Sequence, residues 1–165
     1  MSTPLHFVIL AAGKGTRMKS ELPKVLHAVG GEPMIVRILR TASAFSPVTS
    51  TVVVGHMADK VRAALAPFPG VGTVVQEPQL GTGHALIQAE PPLAGQSGTV
   101  VLLYGDVPML SRDSIARLLA HHRETGAAAT VLTAHLANPT GLGRIVREDG
   151  RFARIVEERD ASPAE

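Results

Sequence analysis

Four short apolar runs, each closed by a glycine-bearing or polar loop and separated by segments of helical periodicity, constrain this chain most. They are His6–Leu10, Thr51–Val54, Thr73–Gln76 and Thr99–Leu103. Strands that stay apolar on both faces are those of a parallel sheet covered by helices, because a half-exposed strand would alternate apolar with polar. Between them, Ile35, Ile38, Leu39 and Ala42 recur at helical spacing behind Pro33, which suits the first helical position. Val61, Ala64 and Leu65 give a narrower stripe, and a short helix is predicted from about Gly83 to Glu90. Ser111 is an N-cap candidate for a helix bearing Ile115, Leu118, Leu119 and His122 on one face, ended by Gly126. A further strand is expected over Ala128–Leu136, then a hairpin in which Arg144–Arg147 and Phe152–Glu157 flank the turn pair Asp149-Gly150. The expected fold is α/β: a Rossmann-like, mostly parallel sheet with helices on both faces, to which the antiparallel C-terminal pair is added.

Composition narrows the function classes. The 165 residues are 45% hydrophobic, enough for one packed domain and too much for a disordered chain. Without cysteine, there is no disulfide, thiolate zinc site or thiol nucleophile. A net charge of +2, with no Trp, one Tyr and four Phe, lacks the basic stripe and stacking platforms of a nucleic-acid binder. The apolar run Phe7–Ala12 is too short to span a bilayer and has no basic segment before it, so no membrane partner and a cytoplasmic location are expected.

In a parallel sheet, ligands bind beyond the carboxyl ends of the strands. The first such loop runs Leu10-Ala11-Ala12-Gly13-Lys14-Gly15-Thr16-Arg17-Met18. It is not a dinucleotide fingerprint, because Met18 stands where the third glycine belongs, and it is not a P-loop. Its small residues let a ligand approach backbone N–H groups, with Lys14, Arg17, Lys19 and Lys24 supplying charge for phosphate; a tight turn with solvated lysines is the alternative. The second loop, Tyr104-Gly105-Asp106-Val107-Pro108, puts a carboxylate at a strand end, suited to Mg²⁺ shared with phosphate oxygens or to capping a turn. The third, Gln76–His84, offers a glutamine able to read a base edge and two glycines, Gly81 and Gly83; it also reads as a polar turn. His84 is expected to be a helix residue and not a base; His121 and His122 are expected to be structural. Gly141, Gly143, Arg144 and Glu157 could grip sugar hydroxyls, and Glu157-Glu158-Arg159-Asp160 could equally be a solvated charge run.

Read in series, LAAGKGTRM, LPKVLH, QLGTGHA, LYGDVP, PTGLGRIVR and IVEERDA make this chain resemble the bacterial bifunctional N-acetylglucosamine-1-phosphate uridyltransferase/glucosamine-1-phosphate acetyltransferase family, in its N-terminal uridylyltransferase (pyrophosphorylase) domain. One departure is Leu142, where the family has Tyr between the two glycines. The resemblance implies Mg²⁺-dependent formation of UDP-N-acetylglucosamine and pyrophosphate from UTP and N-acetylglucosamine 1-phosphate. It implies contacts to the nucleotide from Leu10, Ala11, Ala12 and Gly13, and to its phosphates from Arg17 and Lys24, the two catalytic candidates. Gln76, Gly81 and Thr82 would read uracil. Tyr104, Gly105 and Asp106 would lie against nucleotide and sugar, with Asp106 on Mg²⁺, and Gly143 and Glu157 would hold the amino sugar. Competing readings are another sugar-nucleotide pyrophosphorylase and a nucleotide-sugar-binding fragment without turnover.

In the family, this domain continues past position 165 and includes two Asn positions, one on the sugar and one on the metal. A left-handed β-helix follows, which carries acetyl transfer and forms a homotrimer. Residues 1–165 are therefore expected to be the front of that domain, a monomer, without acetyltransferase activity and with weak or absent uridylyl transfer.

Overall fold

The computed structural model describes residues 3–15 and 18–162. The chain divides into two compact units, residues 1–116 and 117–165.

The first unit is built on a four-stranded parallel sheet: β1 (Leu5–Leu10), β4 (Thr49–Val54), β5 (Val71–Val75) and β6 (Thr99–Tyr104), in the order β5-β4-β1-β6. Before β4 come a 3-10 turn (Lys24–Leu26), a small ribbon of β2 (Ala28–Val29) and β3 (Glu32–Pro33), and α1 (Met34–Ser43). Pro33 caps α1 and Met34 opens it, one residue later than the Pro-at-N1 pattern predicts. Then α2 (Ala58–Ala64) links β4 to β5, and α3 (Thr82–Ile87) with α4 (Glu90–Leu93) links β5 to β6. The single helix expected from about Gly83 to Glu90 is thus two, the second beginning just before the Pro91-Pro92 pair.

The central strands β1 and β4 are apolar for the reason the sequence suggests, whereas the edge strands β5 and β6 are partly exposed, Val75 and Val100 among them. In β1, Phe7, Val8 and Ile9 are fully buried, and successive side chains point to opposite faces. Val8 joins Val53, Ala85 and Ala89 in one cluster, the last two from the α3–α4 segment. On the other face, the Phe7 ring lies 5.9 Å from Phe45, just after α1. Helices therefore cover both faces, with Ile35, Ile38 and Leu39 of α1 fully buried.

α5 (Arg112–Thr125) begins in the first unit, and Ser111 caps it as expected, its Oγ accepting from Ser114 N–H at 3.1 Å. Ile115 and Leu119 are buried, and Gly126 follows at φ +59°. The second unit also holds the predicted hairpin, β7 (Arg144–Glu148) and β8 (Arg151–Val156), turning through Asp149 and Gly150 at φ +50° and +77°. Two positive φ values match the twist of a tight hairpin, which explains the Asp-Gly pair.

Two expectations are corrected. Among the described residues the hairpin forms a two-stranded sheet of its own. Ala128–Leu136 is not a strand: it is irregular, with Val131, Leu132 and Leu136 more than half exposed. β-propensity reflects fit to a paired, half-buried surface, and among the described residues no strand pairs with this segment.

Ile38 is fully buried on α1. Ile38→Ala is expected to lower the unfolding free energy by about 2–5 kcal/mol through lost transfer energy and a residual cavity. Urea midpoints at constant slope measure it; a loss below about 1 kcal/mol would mean that the site collapses around the smaller side chain.

Candidate active site

Strand order fixes where a ligand can enter. The chain builds β1, β4 and β5 outward in one direction, then crosses back to place β6 on the opposite side of β1. Loops leaving β1 and β6 therefore diverge, and the crevice between them is the switch-point site of such sheets. Leu10 and Tyr104 are register partners at that edge, so both loops start at one level. A cleft of about 600 Å³ opens there, within the range of small-molecule sites.

Leu10, Ala11, Ala12 and Gly13 form one wall. Ala11 and Ala12 are buried, and Ala11 N–H donates to Val53 O at 2.8 Å, which ties the loop to β4. Tyr104 and Asp106 line the cleft from β6, and Gly105 between them N–H bonds Leu10 O at 2.9 Å. A Cβ on Gly105 would lie 3.0 Å from Leu10 O, 3.1 Å from Ile35 Cδ1 and 3.2 Å from Val25 Cγ1. The glycine is what lets the Asp106 loop close against the Leu10 loop. Gln76, Gly81 and Thr82 enter from the loop after β5 and the start of α3.

Charge in the cleft comes from two sides. Lys24 Nζ lies 2.7 Å from Asp106 Oδ2, both side chains partly exposed. Lys24 is brought close by Gly15, which sits at φ +61° and whose added Cβ would come within 2.7 Å of Lys24 Cβ. Among the described residues no group of three or more His, Asp or Glu side chains could cage a metal. The donor chemistry at Asp106 is that of a hard cation held by one carboxylate and completed by water and phosphate oxygens.

Of the site residues that the resemblance implies, all but Arg17, Gly143 and Glu157 line or adjoin one cleft. Arg17 lies outside the described residues. Gly143 and Glu157 belong to the second unit. There Gly143 packs against β8, an added Cβ meeting Ile155 Cγ2 at 3.3 Å, and Glu157 is exposed before a 3-10 turn. Its neighbour Glu158 is exposed, and it accepts from Gly141 N–H at 2.7 Å and pairs with Arg144 at 3.3 Å. His121 and His122 lie in α5, where His122 Nδ1 meets Thr130 Oγ1 at 2.9 Å.

Sequence reasoning placed Gln79 in the third loop without a role of its own, and it missed Gly55. Gln79 lines the cleft, and its amide packs over Gly55, where an added Cβ would stand 2.8 Å from both Gln79 Nε2 and Ala12 O. The signal was a glycine ending an apolar strand, but what approaches it comes from 24 residues later, and no local pattern carries that.

The arrangement is a switch-point cleft on a parallel sheet with helices on both faces. Residues 7–151 match the MobA-like NTP transferase domain, and the chain belongs to that family. The bifunctional protein GlmU of Brevibacillus brevis is 54% identical over 162 residues, covering 98% of this chain and 35% of that protein. The chain therefore spans about a third of the length of such relatives. Among solved structures, Rv0371c of Mycobacterium tuberculosis is 26% identical with a TM-score of 0.63, over 73% of this chain and 61% of that one. Its manganese complex matches at 0.59, over 72% and 59%. A CMP:2-keto-3-deoxy-manno-octonic acid synthetase complexed with CTP, 23% identical, shares the fold at 0.59, over 76% and 49%. No described helix is long and apolar enough to cross a membrane.

Gly55→Ala forces a Cβ against a backbone oxygen and is expected to cost about 1–3 kcal/mol of stability. Gly13→Ala, with no atom within 4 Å of its added Cβ, should stay within about 0.5 kcal/mol. Equal midpoints for the two variants in urea would overturn the close approach at Gly55.

Proposed function

We propose that this chain is the nucleotide-binding part of a uridylyltransferase that joins UTP and N-acetylglucosamine 1-phosphate into UDP-N-acetylglucosamine and pyrophosphate, for cell-envelope precursor synthesis. The observation that carries the reading is the convergence of the Leu10–Gly13 loop, Lys24, Gln76, Gly81, Thr82, Tyr104 and Asp106 on one switch-point cleft, in a chain 54% identical to a GlmU protein. A cytoplasmic setting suits these small phosphorylated substrates.

In the reaction, a phosphate oxygen of the sugar 1-phosphate forms a bond to the α-phosphorus of UTP. The bond from that phosphorus to the bridging oxygen breaks, and pyrophosphate leaves with the electron pair. The nucleophile is already ionised at neutral pH, so the site needs no general base. Catalysis of this kind rests on positioning and charge neutralisation. Backbone N–H groups of the small-residue loop would cradle the nucleotide, and Lys24 and Arg17 would meet the phosphates. Gln76, Gly81 and Thr82 would read uracil, Tyr104 and Gly105 would lie against nucleotide and sugar, and Gly143 and Glu157 would hold the amino sugar. Asp106 would hold the divalent cation, for which Mg²⁺ is proposed; manganese is what the Rv0371c complex contains. When bound, that cation neutralises charge gathering on the phosphate oxygens.

The test is Mg²⁺-dependent pyrophosphate release across four nucleoside triphosphates and a set of sugar 1-phosphates. Release confined to UTP with N-acetylglucosamine 1-phosphate is expected. Preference for another pair would make the chain part of a sister pyrophosphorylase, and binding of UDP-N-acetylglucosamine with no release would make it a binding module. Where release occurs, Asp106→Asn should lower it about 100-fold or more by weakening charge stabilisation. Arg17→Ala should depress turnover more than substrate affinity; a change under about threefold at saturation, roughly 0.6 kcal/mol, would remove its transition-state role.

A further inference from the structure

Gln76 follows β5, is almost wholly buried, and still lines the cleft. Its backbone N–H continues the sheet, donating to Val54 O at 2.8 Å. Its side chain reaches across to the start of α3. There Nε2 lies 2.9 Å from Gly81 O and 3.2 Å from His84 Nδ1. Gly81 O is a carbonyl and can only accept, so the amide's NH₂ group must face it. With one amide proton on Gly81 O, the second points to His84, and only a bare Nδ1 can take it.

The other ring nitrogen has its own neighbour. Gln88 Nε2 lies 3.1 Å from His84 Nε2 and 3.3 Å from His84 O. A neutral imidazole has one bare nitrogen, so the two glutamine amides cannot both donate to it. Gln76 is buried and anchored at 2.9 Å; Gln88 is half-buried with the longer anchor. Gln88 is therefore the amide that yields: it presents its oxygen to Nε2–H and gives up the 3.3 Å contact with His84 O.

We propose that His84 is a positioning residue for base recognition: through a bare Nδ1 it fixes the Gln76 amide so that only an acceptor, Oε1, is offered to the cleft. Both Nε2 protons are occupied within the chain, and Oε1 takes no hydrogen bond from any described residue. An acceptor held in place selects a base edge that carries a ring N–H donor, as the uracil imide does. It opposes cytosine, whose corresponding ring nitrogen is itself an acceptor. The inference rests on the reading above that Gln76 faces the base, and it supplies the reason a glutamine, ambiguous by itself, can discriminate there.

The experiment measures UTP and CTP affinity calorimetrically with Mg²⁺ present, for the full chain and two variants. His84→Leu removes the acceptor and keeps bulk; His84→Asn places Oδ1 where Nδ1 stood. The leucine variant should lose roughly tenfold of the UTP-over-CTP preference, about the size of one oriented hydrogen bond, and the asparagine variant should retain it. A folded leucine variant with undiminished preference would overturn the proposal.

A chain that does not distinguish UTP from CTP would instead sink the base-reading role of Gln76. The positioning would then be decided on the nucleotide-free protein by ¹⁵N chemical shifts. A bare His84 Nδ1, with Gln76 side-chain amide protons that exchange faster in His84→Leu, is the expected result. A proton on Nδ1, or unchanged Gln76 exchange, would overturn it.

Discussion

The pairing of β1 with β6 on one side and β4 on the other is the constraint from which the site follows. β1 is the most buried strand, and its apolar side chains are claimed by helices on both faces. Once β6 pairs with it on the side opposite β4, the two loops leaving the carboxyl edge must separate, and a crevice is unavoidable. The molecule then manages how far they separate. Gly105 draws the Asp106 loop against Leu10 O, Gly55 lets Gln79 settle beside Ala12, and Gly15 brings the Lys24 backbone close. Each glycine is a point where one loop touches another and a methyl group would hold them apart.

That division explains what the sequence could disclose. Properties set by near neighbours were legible: the apolar runs of the parallel strands, Ser111 as a cap, and Asp149-Gly150 as a tight turn. The first loop could be recognised as a candidate phosphate cradle because its small residues and basic neighbours lie within one stretch. What failed or was missed depends on distant partners. Ala128–Leu136 has the composition of a strand, yet pairing needs a second strand that composition cannot guarantee. Glu158 stands in an exposed charge run, and its contact with a backbone N–H 17 residues away was not legible. Gln79 over Gly55, and His84 beneath Gln76, are similar cases.

The Lys24–Asp106 pair shows why such a cleft is better understood as a site than as a stabilising feature. With both side chains a third or more exposed, a 2.7 Å ion pair contributes about 1 kcal/mol or less to stability. What distinguishes it is its place: both charged groups line the cleft, each the other's partner there. The pair is held in place without deep burial, which would penalise both charges.

Gln76 makes the complementary case on the uncharged side of the cleft. A glutamine free in solvent presents donor and acceptor equally and could not tell one pyrimidine from another. Burial alone does not resolve the ambiguity, since a buried amide still has two orientations of similar shape. Resolution comes from Gly81 O, a group that can only accept, and from an imidazole whose two nitrogens cannot play the same role. Gly81 reaches that position at φ +103°, a backbone region open in practice only to glycine. The orientation of the amide in this corner is thus traceable to one backbone conformation, which aims one carbonyl, which fixes one amide.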